Sequence, residues 1–203
     1  MIGKDRLPKR MPKGSYEELL CFDCEEKFGV FDNYAKEFFL GKDLTPFLRH
    51  DDKVYIIDRY DYFKLKSFFL SLLWRASVSS REEFNLIDAG PFESILRNLL
   101  LQGSIGSDND FSIFVTKFDS NEKKIKNIAE KNILFPAKQK IDGLNYSMFY
   151  LSGGYKIYIK VDKRNIQNVY EKLALEPNSL MVILRIFDFE ETSEFKALIN
   201  AVQ

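Results

Sequence analysis

The spacing of apolar residues changes near residue 104, and this change most constrains the fold. Before residue 104, apolar residues recur at intervals of three and four, which is typical of helices. Residues 104–110 (Ser-Ile-Gly-Ser-Asp-Asn-Asp) have the composition of a linker, and after them the periodicity shifts toward the two-residue repeat of strands. We therefore predict an α+β fold, with helices in the N-terminal half and mainly antiparallel strands in the C-terminal half.

The same change divides the chain into four predicted regions. These are a basic arm at 1–14, a helical region at 15–103, a linker at 104–110 and a β-rich region at 111–203 that also carries helices. The sequence leaves open whether the two large regions share one core.

Three helices and a short β-like run are predicted in the N-terminal half. The second helix is apolar on nearly every face from Phe68 to Trp74, so we expect it to be the central buried helix. The predicted bounds are Cys21 to about Leu40 with a stop at Gly41, Val54–Ile57 for the β-like run, Tyr60–Arg75, and Gly90–Gly103.

The C-terminal half is predicted to contain strands at 111–118, 145–151, 155–161 and 180–187. Gly153 and Gly154 lie between the second and third of these strands and predict a hairpin turn. Apolar residues from Ile166 to Leu173 and from Phe195 to Val202 predict two helices.

Composition excludes several classes of protein. Lys and Arg together number 30, as do Asp and Glu, so no overall charge attracts the chain to nucleic acid or to a membrane. With 19 Phe and 10 Tyr, much aromatic surface must be buried in a core or at a partner interface. No apolar run is long enough to span a bilayer and no secretory signal is present, so we predict a cytoplasmic protein without membrane contact.

Both cysteines of the chain lie in one Cys-x-x-Cys motif, Cys21 and Cys24, at the predicted start of the first helix. Two thiolates at this spacing can bind one zinc ion, form a redox disulfide or simply pack. A structural zinc site needs four ligands, and the only histidine, His50, offers a third. The cysteines also fall on or beside the apolar stripe of the helix, which favours packing. These three readings stay open.

The N-terminal arm is a candidate phosphate-binding segment. It contains one acidic residue and two prolines among basic residues, and a solvated terminus without function is the alternative reading. Its basic residues are Lys4, Arg6, Lys9, Arg10 and Lys13.

The segments around the motif resemble a group of uncharacterised bacterial proteins related to HNH endonucleases. The resemblance covers about residues 6–161, and rests on Glu18-Leu19-Leu20-Cys21-Phe22-Asp23-Cys24-Glu25, on Leu72-Leu73-Trp74-Arg75-Ala76-Ser77, and on Gly90-Pro91-Phe92-Glu93 leading to Arg97 and Leu100. Such proteins have a zinc-supported ββα-metal fold and are often encoded among mobile or phage-defence genes. By the resemblance, Cys21 and Cys24 match the second, structural cysteine pair of the family.

The first cysteine pair and the catalytic histidine of the family have no match here, because this chain begins too late to contain them. HNH chemistry needs that base and a divalent ion. The resemblance therefore implies a non-catalytic relative that binds nucleic acid or forms complexes in a bacterial defence or counter-defence system. It would bind nucleic acid through the arm, and a protein partner or a second copy through its aromatic surface. The alternatives are a protein-binding inhibitor or adaptor, and a metal-dependent nuclease completed by a second chain.

Overall fold

The computed structural model describes residues 17–41, 47–49, 53–166 and 168–202 and confirms the α+β fold. The helices are α1 (Phe22–Leu40), α2 (Tyr62–Val78), α3 (Glu93–Gln102), α4 (Lys123–Lys131) and α5 (Ser193–Val202). The strands are β1 (Phe47–Arg49), β2 (Val54–Ile57), β3 (Ile113–Phe118), β4 (Ala137–Ile141), β5 (Leu144–Leu151), β6 (Tyr155–Lys160) and β7 (Met181–Ile186). Four 3-10 turns cover Glu82–Phe84, Gly90–Phe92, Asn168–Leu173 and Phe189–Glu191.

The seven strands form one sheet in the order β1-β2-β7-β3-β6-β5-β4. Among the strands that the structure describes, only β3 and β7 run parallel, and the remaining pairs are antiparallel. β2, from the N-terminal half, pairs with β7, so both halves of the chain contribute to one sheet. The predicted hairpin joins β5 to β6, and Gly153 and Gly154 at its turn both have positive φ angles, which disfavour other residues.

Helix α2 is the buried helix that the sequence predicts. Leu65, Phe69, Leu70 and Leu73 are fully buried, and they pack between α1, α3 and one face of the sheet. The sheet residues of this main core come from several strands and include Ile57, Val115, Phe149, Ile157 and Ile183. Arg75 near the end of α2 donates two hydrogen bonds, of 2.8 and 3.0 Å, to the carboxylate of Asp32 on α1.

The opposite face of the sheet carries a second core of Phe114, Tyr146 and Tyr158, covered by Ile166 and Leu173. The chain there forms the 3-10 turn Asn168–Leu173, not the predicted α-helix. Ile166, Tyr170 and Leu173 of this segment pack against the sheet, and such contacts stabilise short 3-10 segments.

A buried ion pair connects α5 to this second face of the sheet. Lys156 Nζ on β6 lies 2.5 Å from Glu194 Oε1, and Tyr150 donates a hydrogen bond of 3.1 Å to the same oxygen. Both charged side chains are buried, so loss of either partner would leave a charge without compensation.

Sequence reasoning missed α4 and β4. Helix α4 is only nine residues long, so the helical spacing of Ile125, Ile128 and Ala129 extends over little more than one turn between charged residues. Strand β4 is an edge strand with three exposed residues in its middle, so it lacks the alternation of a half-buried strand.

The predicted linker 104–110 connects α3 to β3, and a lysine of α2 holds it in place. Lys66 has 1% of its surface exposed, and its Nζ donates hydrogen bonds of 2.7 Å to the Ser107 carbonyl and 3.2 Å to the Tyr62 hydroxyl. Tyr62 in turn donates to Asp108 at 3.1 Å. Burial lowers the pKa of Lys66 to about 8.

This lowered pKa predicts how stability depends on pH. Below pH 8 the folded protein must bury a charged ammonium, and this cost disappears as pH rises toward the unfolded-state pKa near 10.5. Relative to Lys66→Met, the wild-type free energy of unfolding should therefore rise by roughly 3 kcal/mol between about pH 8 and pH 10.5. Urea unfolding followed by circular dichroism measures this difference. Lys64→Met, at a half-exposed position of the same helix, is the control and should show little such change.

Asp119 joins four elements at the end of β3. Its side chain is 2% exposed, and Oδ2 accepts hydrogen bonds from the Tyr55 hydroxyl of β2 at 2.6 Å and from Arg185 of β7 at 2.8 Å. Lys126 of α4 lies 3.2 Å from Oδ1. Burial alone would raise the pKa of Asp119, but the hydrogen bonds from Tyr55 and Arg185 outweigh burial and lower it to about 2.

Asp119→Asn tests this junction. Because the folded-state pKa is lowered, the carboxylate contributes stability above about pH 4 that is lost as pH falls toward 2. We expect the variant to lose roughly 2 to 3 kcal/mol at pH 7, and the difference from wild type to shrink on acidification. Denaturant unfolding of wild type and variant across this pH range measures the difference in free energy of unfolding. Asp58→Asn, at an exposed position, is the control. A difference that stays constant down to pH 2 would contradict the assigned role of the charge.

Candidate functional site

The two cysteines lie at the N-terminus of α1, but they differ in environment. Cys21 is the residue before the first helical turn, with extended φ and ψ, and its carbonyl accepts hydrogen bonds from the backbone of Cys24 and Glu25, both at 3.0 Å. Cys21 is exposed and Cys24 is half-buried. The expectation that both cysteines pack beside the buried stripe is therefore wrong for Cys21, because the helix begins after it and the residue is exposed at the rim of the structure's apolar surface.

A small apolar cavity of about 140 Å³ adjoins the cysteines, between the start of α1 and α3. Trp74 forms part of its wall and is oriented by a hydrogen bond of 2.8 Å from its Nε1 to Glu93. The lining residues are Leu19, Leu20, Cys21, Cys24, Phe28, Trp74, Arg97, Leu100 and Leu101.

The two thiols also differ in acidity. The nearby backbone N–H and thiol of Cys24 lower the pKa of Cys21. The interaction with Cys21 raises the pKa of Cys24, and burial raises it further. The exposed first thiol is therefore the more nucleophilic one.

The zinc interpretation needs ligands beyond this pair. Within the described ranges, no third His, Cys, Asp or Glu joins the cysteines in a group that could hold a metal ion. His50 lies outside the described residues, so its distance from the thiols stays undetermined. The described residues thus supply two of the four zinc ligands, and the others would have to come from residues outside the described ranges, His50 among them, or from a second chain.

The thiol environments predict unequal reactivity. We expect iodoacetamide at pH 7 to label Cys21 several-fold faster than Cys24, because the labelling rate follows exposure and thiolate fraction. Peptide mass spectrometry over a time course measures both rates. Equal and slow labelling of both thiols that accelerates on adding a chelator would contradict this expectation, and would show that the pair binds metal.

A separate groove lies at the β4 edge of the sheet. Because Lys138 pairs with Ser147 and Lys140 with Asn145, these four residues lie on the face of the sheet that also carries the helices. The helical layer ends there at the segment 88–92, leaving a groove of about 540 Å³ over β4 and β5. It is lined by Asp88, Ala89, Gly90, Pro91, Phe92, Lys138, Gln139, Lys140, Asn145, Tyr146, Ser147 and Val161.

The groove is open and basic. Lys138 Nζ lies 3.9 Å from Asp88 Oδ2, but both side chains are more than half exposed, so this pair is weak. Lys140 is exposed and has no ion-pair partner among the residues that the structure describes.

The groove lysines belong to a longer basic stretch, which we call the lysine-rich segment, residues 123–140. It contains six lysines and a single acidic residue, Glu130, although the whole chain has no net charge. Phe135, inside it, is 71% exposed. Counting charges in a window along the sequence would have found this segment. The groove itself could not be found that way, because its walls are about fifty residues apart.

The basic arm predicted to bind phosphate, with Lys4, Arg6, Lys9, Arg10 and Lys13, lies outside the described residues. None of the described helices is both long and apolar enough to cross a membrane. No protein-family model matches the chain, and searches of curated proteins and of solved structures find no significant match.

Proposed function

We propose that this protein binds nucleic acid without cleaving it, as one component of a larger complex. The observation that carries this proposal is the lysine-rich segment, which gives an electrically neutral chain one local concentration of positive charge. The N-terminal arm adds a second group of cations in the sequence. The resemblance to HNH-related bacterial proteins suggests a phage-defence or counter-defence system as the context.

Electrostatics supports a polyanionic ligand. Lysines that neutralise phosphates release counterions, and this release drives most sequence-independent binding to nucleic acid. Lys123, Lys124, Lys131 and Lys140 are exposed and, within the described part of the chain, no carboxylate lies within ion-pair distance of them. Their charges are therefore available to a phosphate backbone.

The non-catalytic part of the proposal rests on the sequence. Hydrolysis of a phosphodiester by HNH chemistry requires a general base to activate water. By the resemblance, no residue of this chain matches the catalytic histidine, and His50 occupies a different place in the pattern. By the resemblance, a nuclease function would need a base that no residue of the printed sequence supplies, and a second chain is one source of it.

A protein partner is the second candidate, and one observation favours it. Phe22 is 81% exposed at the start of α1, and Leu101 is exposed beside the apolar cavity near the cysteines. Exposed aromatic and aliphatic side chains around a small apolar cavity are typical of interaction sites. An adaptor that uses only this surface would not bind nucleic acid.

Removing the lysines tests the main proposal. Replacing Lys123, Lys124, Lys138 and Lys140 with Ala should weaken binding of a fluorescent oligonucleotide by about tenfold or more near 0.1 M salt, because phosphate contacts are lost. Each lost contact should also reduce the salt dependence of the affinity, the slope of log K against log salt, by about 1. Lys9→Ala/Arg10→Ala/Lys13→Ala should weaken binding as well. Fluorescence anisotropy at several salt concentrations gives both affinity and slope.

The matched control replaces four exposed lysines outside the segment, Lys27, Lys36, Lys163 and Lys172, with Ala. It removes the same total charge, so an equal loss of affinity would show a general charge effect and contradict a localised site. Absence of any binding by the wild-type protein near 50 mM salt, where electrostatic binding is strong, would leave the adaptor function as the better proposal.

A further inference from the structure

We infer that the groove over β4 and β5 receives one single strand of nucleic acid, in preference to a duplex. This inference rests on the proposed function and names its substrate class. It is drawn from the spacing of the groove lysines, from the side chains that line the groove and from its size.

The lysine spacing suits one phosphate backbone. Lys138 and Lys140 lie two residues apart on the same face of β4, which separates their Cα atoms by about 7 Å along the strand. Consecutive phosphates of an extended single strand are spaced over a similar distance. The two ammonium groups can therefore contact neighbouring phosphates of one strand.

The groove also offers groups that suit an unpaired base. Phe92 lines it, and an edge-on contact with Phe111, with ring centroids 5.9 Å apart, holds its ring in place. Asn145 donates weakly to Asp162 at 3.4 Å, and in the described structure no donor contacts its side-chain oxygen. Stacking on an aromatic ring and hydrogen bonding by an amide are the usual means of holding single-stranded bases.

Size excludes a duplex from the interior of the groove. Its volume of about 540 Å³ falls in the range of small-molecule pockets, which hold a ligand about as large as one nucleotide. The bases of a duplex are stacked inside the helix and only its backbone could touch the rim. A duplex would then gain the lysine contacts but not those of Phe92 or Asn145.

A different result is expected if Lys138 and Lys140 serve only to prevent association between sheet edges. Lysines on an edge strand also discourage sheet-to-sheet association, which needs no ligand. In that case their removal would promote self-association and would leave the choice between single strand and duplex unchanged.

The experiment compares two double variants of equal charge within the lysine-rich segment. Lys138→Ala/Lys140→Ala alters the groove, and Lys123→Ala/Lys124→Ala alters exposed positions of α4 outside it. Anisotropy is measured with a short single-stranded oligonucleotide and with its duplex, at about 50 to 200 mM salt. We expect wild type to prefer the single strand by about fivefold or more. The groove variant should lose this preference, whereas the α4 variant should bind both the single strand and the duplex more weakly, by the same factor.

The outcomes separate this inference from the proposed function. Tight binding of both ligands without preference, with the two variants behaving alike, would overturn the groove inference and leave the proposed function standing. No binding of either ligand by wild type would overturn both. Displacement of the single strand by polyglutamate at equal charge concentration would overturn the inference in favour of an acidic protein partner.

Crosslinking provides a second readout that does not depend on the variants folding. A single strand containing 4-thiouridine is irradiated in complex with the full wild-type chain, and the adducts are mapped by mass spectrometry. Adducts within 88–92 or 138–147 are expected. Adducts confined to other segments would overturn the placement of the strand in the groove.

Discussion

The junction at Asp119 connects parts of the fold that are far apart in sequence. Its carboxylate accepts hydrogen bonds from β2 and β7 and lies beside a lysine of α4. These contacts occur where β3 ends next to its parallel neighbour β7. Parallel pairing is slow to form, because it joins segments separated by a long crossover. A buried carboxylate whose partners come from three other elements stabilises the one arrangement in which all of them meet.

The helical layer covers one face of the sheet incompletely. The helices α1 to α3 cover the face that carries Val115 and Ile157, but this layer ends at the segment 88–92. The β4 edge of that face is left uncovered, and it carries lysines where a buried strand would carry apolar residues. The groove is thus a consequence of a helical layer narrower than the sheet beneath it.

The candidate sites lie in different parts of the molecule and carry different chemistry. The cysteine pair lies at the N-terminal end of α1, beside an apolar cavity and an exposed Phe22, whereas the lysine groove lies over β4 and β5. This separation suits a component that holds nucleic acid at one surface and a protein partner at another.

The amino-acid pattern by itself determined the α+β class, the buried helix α2 and the β5–β6 hairpin, because period, glycine position and apolar runs are local properties. It also determined that the cysteines stand at a helix start. It could not reveal β4, whose middle residues are exposed at the sheet edge, nor the exposure of Cys21, and it marks α4 only by one short helical repeat of Ile125, Ile128 and Ala129. The groove and the Asp119 junction were decided by the tertiary structure alone, since each depends on strand order and register that bring together residues from distant parts of the chain.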